Sequence, residues 1–222
     1  MELILDTADT SAIKHFNEYL TIDGVTTNPT IITKSKKEFH AVIDDILSIL
    51  NDDQALYVQV LATDCAGIVE EAKYIHSLRK QNIYAKIPVS NEGLKAIKEC
   101  KKLGIKVLAT AIYSAEQGFL AALSGADALA PYVNRMDNLG NGVENVLDLI
   151  QMLKVNNLPT KIIAASFKNT RQVHELIKGG IQAVTVPTDV LQNMMDHPMT
   201  DIAVDTFTKD WENAYNRTTL KS

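Results

Sequence analysis

Scarcity narrows the field before any motif does. The chain has 222 residues but only two cysteines, Cys65 and Cys100, one tryptophan and five histidines. Both cysteines fall in helical patterns with no metal-ligand spacing around them, so they read as free thiols of a reducing compartment. Basic excess is missing too. Twenty-two Lys and Arg stand against 27 Asp and Glu, a formal net charge of -5, and no helical face is rich in Arg or Lys. That argues against a nucleic-acid partner. Lys34, Lys36 and Lys37 form a small basic cluster, which a solvated loop accounts for most simply. No apolar run reaches membrane-spanning length, and the opening MELILD carries an acid where a signal peptide carries base. The expectation is a soluble, cytoplasmic protein without a membrane partner.

What the chain does have is apolar material, 46% of its residues, enough for the core of one large domain. Short apolar runs alternate with amphipathic stretches from end to end. Strands are expected at Glu2–Asp6, Gly24–Thr27, Leu56–Leu61, Tyr84–Pro88, Lys106–Ala111, Ala126–Pro131, Lys161–Ser166 and Ala183–Pro187. Helices are expected between them at Ser11–Tyr19, Phe39–Leu50, Cys65–Lys80, Gly93–Leu103, Ala115–Leu123, Val143–Lys154, Thr170–Lys178 and Val190–Met195. Thr10, Asp64, Asn91, Ser114 and Asn169 stand where N-caps belong, and Gly104, Gly125 and Gly179–Gly180 where helices stop. Eight such units without a linker predict a single-domain α/β protein over 1–222, a (β/α)8 TIM barrel with an additional C-terminal helix. The competing doubly wound sheet lacks support, since DTADTS follows the first strand in place of a Gly-rich phosphate loop. The extra helix, at 199–217, carries Ile202, Ala203, Phe207 and Trp211 at helical spacing. It either covers the barrel bottom or packs on a neighbouring subunit, where a lone Trp serves well as an anchor.

The stretch Ile83–Val89, IYAKIPV, places Lys86 inside an apolar strand. Alternation sends Ala85 and Ile87 to one face and Lys86 to the other. Burial of an ammonium lowers its pKa, and the neutral amine so obtained attacks carbonyls to form a Schiff base. A lysine that snorkels from a strand end to solvent is the competing reading. Barrel chemistry sits at the C-terminal strand ends and the loops beyond them. That rule gathers Asp6, Thr26, Asn28, Gln59, Lys86, Thr110, Tyr132, Arg135, Ser166 and Lys168. Each has a plainer use. Asp6 can cap the turn at Thr7, Asn28–Pro29 is a turn dipeptide, Gln59 or Thr110 can be polar filler, and Arg135 can pair with Asp137. None of the histidines falls at a strand end and no carboxylates cluster at Mg²⁺ spacing, so no metal and no cofactor are expected.

The segments LILDTAD, GVTTNPTII, AKIPVSNEGLKAIK, APYVNRMD, AASFKN and VTVP resemble the small transaldolase family, and within it the fructose-6-phosphate aldolase branch. The resemblance runs from Met1 to the pair Asp210–Trp211. It implies a barrel with the Schiff-base lysine on the fourth strand, where Lys86 falls. Deoxyribose-phosphate aldolase, a similar barrel, carries its lysine on the sixth strand, where this chain has Ala130–Pro131–Tyr132. Transaldolases typically place Glu on the third strand and Phe on the sixth; this chain has Gln59 and Tyr132, the aldolase pattern. The implied reaction is reversible cleavage of fructose 6-phosphate to dihydroxyacetone and glyceraldehyde 3-phosphate. Implied with it are an imine on Lys86, a proton-shuttling water held by Gln59, Thr110 and Tyr132, and Asp6 aiding proton transfer. Asp6 and Asn28, with Thr26, would bind the dihydroxyacetone unit, and Arg135, Ser166 and Lys168 the phosphate. The alternatives are a transaldolase of the pentose phosphate pathway, moving the same three-carbon unit between sugar phosphates, and a silent barrel that binds sugar phosphates for regulation. The resemblance also implies a homo-oligomer, a pentamer or decamer, whose terminal helix reaches a neighbour.

Overall fold

The structure is a computed structural model and describes residues 1–221. Its eight strands are β1 (Glu2–Asp6), β2 (Gly24–Thr26), β3 (Ala55–Gln59), β4 (Ile83–Pro88), β5 (Val107–Ile112), β6 (Ala128–Pro131), β7 (Lys161–Ala164) and β8 (Ala183–Val186). They pair in parallel, in sequence order, and β8 returns to β1 to close the barrel. The helices are α1 (Thr10–Tyr19), α2 (Pro29–Lys34), α3 (Phe39–Leu47), α4 (Cys65–Ser77), α5 (Asn91–Lys102), α6 (Ala115–Leu123), α7 (Val133–Asp137), α8 (Gly142–Val155), α9 (Thr170–Lys178), α10 (Thr188–Met195) and α11 (Pro198–Tyr215). The expected (β/α)8 barrel with a C-terminal helix is therefore present.

Two buried clusters record the strand alternation. Leu5, Val58, Ala85, Ile87, Ala109 and Ala164 face outward and join the helices in one core. Ile4, Tyr57, Leu108, Ala130, Ile163 and Ala165 fill the barrel interior. Lys86 lies between Ala85 and Ile87 and so points inward, with the side-chain period of two that strands impose.

Several local expectations are corrected. Asp9, not Thr10, caps α1 by accepting from the Ser11 and Ala12 N–H groups. Ser90, not Asn91, caps α5. In each case the short oxygen-bearing side chain one position earlier has the extended backbone that a cap requires. Two helices have no counterpart in the sequence reading. Asn28 is itself an N-cap, its Oδ1 accepting from Ile31 N at 2.9 Å, with Pro29 in the first turn of α2. The turn dipeptide thus opens a helix of six residues. Helix α7, five residues long, follows β6 directly. The sequence runs expected for β3, β6 and β7 extend beyond the paired residues, because the pairing depends on the register of the neighbours.

Helix α11 differs from the rest. None of its 18 residues is buried, and Ile202, Val204 and Phe207 stand exposed on it. It begins at Pro198 and ends where Asn216 turns left-handed at φ 55°. The barrel bottom is not its seat.

Candidate active site

The C-terminal ends of the strands open into a cavity of about 1110 Å³. Asp6, Asn28, Gln59 and Lys86 line it together with Tyr132, Arg135, Ser166 and Lys168. Thr26 and Thr110 are fully buried just behind that lining and touch it through hydrogen bonds. All ten sequence candidates therefore meet at one mouth.

Lys86 is 4% exposed. Its Nζ donates to the Thr27 carbonyl at 2.8 Å, and no carboxylate among the described residues lies within ion-pair distance. Burial pulls the amine below its ordinary value, while the charge of Asp6 opposes the shift. The register sets Gln59 beside Lys86, and Gln59 Oε1 is buried without a hydrogen-bond partner. An orphaned acceptor there is one that water or a ligand would satisfy.

Asp6 sits on β1, in register with Thr26 of β2. The Thr26 hydroxyl donates to Asp6 Oδ1 at 2.8 Å and lies 2.6 Å from the Thr185 hydroxyl. Since Thr26 spends its proton on Asp6, Thr185 is the donor of the second bond. Burial raises the Asp6 pKa, and the field of Lys86 and the Thr26 hydrogen bond counter it.

Thr110 donates to the Tyr132 hydroxyl at 3.2 Å. This contact depends on an irregularity in β5. The register shifts between Ala109 and Ile112, with Ala111 left-handed at φ 57°. The bulge keeps Thr110 on the inside while Ile112 rejoins the outer core. A left-handed alanine costs on the order of 1 kcal/mol, and such strain concentrates at functional sites. Arg135 lies over the Tyr132 ring, 4.6 Å from its centroid, and donates to the Tyr113 hydroxyl at 2.9 Å. The anticipated partner Asp137 is occupied elsewhere, by Gln172 and the first N–H groups of α8. Ser166 is left-handed at φ 63°, and its carbonyl accepts from Asn134 N.

Three contributors escaped the sequence reading: Tyr113, Gln172 and Thr185. Thr185 was accessible in principle, since it alternates inward on β8; Tyr113 and Gln172 lie past strand ends and gave no signal. Among the described residues no group of three or more His, Cys, Asp or Glu could hold a metal ion, and no helix is long and apolar enough to cross a membrane.

One protein family, transaldolase/fructose-6-phosphate aldolase, matches residues 3–221. The chain belongs to that family. Its members are enzymes, and the family embraces both transfer and cleavage. Solved structures resemble the barrel at low identity. A mutant flavocytochrome b2 with pyruvate bound matches at TM-score 0.60 and 11% identity, over 84% of this chain and 56% of its own. The Amycolatopsis orientalis BexX/CysO complex matches at TM-score 0.60 and 16% identity, over 85% of this chain and 80% of its own. At such identities the likeness is one of fold alone, and this chain spans about half the length of the flavocytochrome.

Proposed function

We propose that the protein is a Schiff-base aldolase that cleaves fructose 6-phosphate reversibly to dihydroxyacetone and glyceraldehyde 3-phosphate. One observation carries this reading: Lys86, almost wholly buried at the inner end of an open cavity, is held by a backbone carbonyl and by no carboxylate. Such an amine is kept available as a nucleophile.

The neutral Lys86 amine adds to the C2 carbonyl of the ketose, and uptake of one proton from solvent with loss of water leaves an iminium. Asp6 takes the proton of the C4 hydroxyl as the C3–C4 bond breaks. The bonding pair moves to C3 and the iminium becomes an enamine, releasing the aldehyde. Protonation at C3 regenerates an iminium, and water hydrolyses it to free dihydroxyacetone. Tyr132, with Thr110 and a water accepted by Gln59 Oε1, supplies that proton. This is what favours cleavage over transfer, because a phenylalanine at this position would leave the enamine waiting for an acceptor aldehyde. Asn28 binds a hydroxyl of the three-carbon unit, and Thr26, whose hydroxyl is spent on Asp6, serves by orienting that carboxylate. Arg135, Ser166 and Lys168 take the phosphate.

Helix α11, with Ile202, Val204 and Phe207 exposed on it, is read as docking on a second copy of this chain in a homo-oligomer. Light scattering of the full chain tests this, and a monomer would refute it.

The deciding assay supplies fructose 6-phosphate alone and couples any glyceraldehyde 3-phosphate to a dehydrogenase. Product without an acceptor supports the aldolase. Strict dependence on erythrose 4-phosphate would assign transaldolase instead. Borohydride with dihydroxyacetone should leave a reduced adduct on Lys86 by mass spectrometry; its absence would sink both.

A further inference from the structure

The arms that carry Arg135 and Lys168 come from different strand–helix loops, and one buried side chain ties them together. Gln172, in the first turn of α9, is 6% exposed although it is an amide. Its Oε1 accepts from the backbone N–H of Lys168 at 2.9 Å. Its Nε2 donates to Asn134 Oδ1 at 3.1 Å and to Asp137 Oδ2 at 2.6 Å, which spends both amide protons. Asn134 and Asp137 bracket Arg135 on α7. The other oxygen of Asp137 accepts from Gly142 N at 2.7 Å and Val143 N at 3.3 Å. Helix α8 crowds this turn, since a Cβ on Gly142 would lie 2.2 Å from the Val133 carbonyl oxygen. The tie therefore runs from the start of α8, through Asp137 and Gln172, to Lys168.

Arg135 and Lys168 are both exposed and carry long side chains. Where their charges can converge is set by their backbones, and holding two cations in one geometry costs side-chain entropy at the moment of binding. We propose that Gln172 is a positioning residue: it clamps the Asn134–Asp137 turn to the Lys168 loop and so pre-forms the seat for a phosphomonoester. Gln172 touches neither substrate nor Lys86. It acts on the affinity for phosphorylated substrates and leaves imine chemistry alone. The inference rests on the assignment of Arg135, Ser166 and Lys168 as the phosphate subsite in the proposed function.

The test runs the reaction in the synthetic direction, with dihydroxyacetone as donor and either glyceraldehyde 3-phosphate or glyceraldehyde as acceptor. In Gln172→Leu the KM for glyceraldehyde 3-phosphate should rise about tenfold, with kcat changed less than about threefold and the reduced dihydroxyacetone adduct on Lys86 retained. The KM for glyceraldehyde should stay within about twofold, and inhibition by inorganic phosphate should weaken in parallel. Asp137→Asn, which sets an amide donor against Gln172 Nε2 and keeps an oxygen for Gly142 N, should move the same KM. It carries the test if Gln172→Leu fails to fold. Equal losses on both aldehydes, or an unchanged KM for the phosphorylated one in the folded variants, would overturn the role of Gln172. Arg135→Ala separates the two levels. If it raises that KM and the Gln172 and Asp137 variants do not, only the clamp is wrong; if it too has no effect, the phosphate subsite falls and the clamp with it.

Discussion

The barrel contains an acid and an amine at each end, and the two pairs behave differently. At the floor, Lys161 of β7 reaches Glu2 of β1, with Nζ 2.7 and 2.6 Å from its two carboxylate oxygens. At the mouth, Lys86 of β4 and Asp6 of β1 share a cavity but do not pair: Asp6 is bonded by Thr26 and Lys86 bonds the Thr27 carbonyl. Glu2 and Asp6 stand four positions apart on one strand, so both face inward by the same alternation. Between the ends lies an apolar layer that includes Ile4, Leu108 and Ile163, with Tyr57 stacked on Tyr84 at 4.7 Å between ring centroids. That layer keeps the floor carboxylate from the mouth amine. The floor pair links β7 to β1 across the barrel. An unpaired lysine, almost wholly buried at the inner end of the cavity, is destabilised as a cation, which is what the proposed nucleophile requires.

The sharpest way to break this contrast is to remove each lysine in turn. Lys86→Met should lower cleavage by roughly 10⁴-fold or more and abolish the borohydride adduct, whereas Lys161→Met should leave turnover within about threefold. A Lys161 variant that lost the adduct would show the two ends to be coupled. Next in size is Tyr132→Phe. Acceptor-free cleavage should fall by about 10²–10⁴, with the ratio of transfer to cleavage rising. An unchanged ratio in a mixed assay with erythrose 4-phosphate would remove the phenol from the account.

The pH dependence sharpens the contrast further. Burial holds the folded Lys86 pKa below 10.5, the value for the free side chain. Between those two values the unfolded chain binds more protons, so this residue makes stability rise with pH across the window. Lys86→Met should therefore raise Tm at neutral pH by a few degrees, on the order of 1–2 kcal/mol, and the gain should vanish as the pH approaches 10.5. Activity should rise with pH through the folded value. A Lys86→Met variant less stable than the parent at pH 7 would contradict this. Thr26→Val should cost about tenfold in kcat. It should also move any limb of the rate profile due to Asp6 to higher pH, because one of the interactions lowering that pKa is gone. The smallest effect belongs to Glu2→Gln. Both partners are partly exposed, 39% and 27%, so calorimetry should find about 0.5–1 kcal/mol lost.

The legible parts of this protein were those governed by period and order. Lys86 could be set on the face opposite Ala85 and Ile87 because strand alternation allows nothing else, and those two proved to face the outer core. The rule that barrel sites gather at strand ends then collected residues from seven strands or their loops. Illegible were the features that depend on what a neighbouring strand does. The left-handed Ala111 gives no sign in KVLATAI, yet without the bulge Thr110 and Ile112 would share a face. Gln172 sits in an ordinary amphipathic helix start, and only the packing of α9 against α7 makes it a junction. Asn28 looked like a turn residue because a cap and a turn use the same side-chain bond.

By itself, then, the order of apolar and polar residues determined an eight-fold strand–helix alternation, the inward lysine and the set of side chains at one rim. Those are local consequences of backbone geometry, which every residue obeys regardless of its distant neighbours. Only the closed barrel decided that Lys161 would find Glu2 while Lys86 would find a carbonyl, that Asp6 would accept from a Thr26 hydroxyl itself bonded to Thr185, and that Gln172 would join two loops. Hydrogen bonds between residues up to 159 positions apart are made where barrel register and loop packing bring strands and loops together, and no local pattern in the chain encodes that meeting.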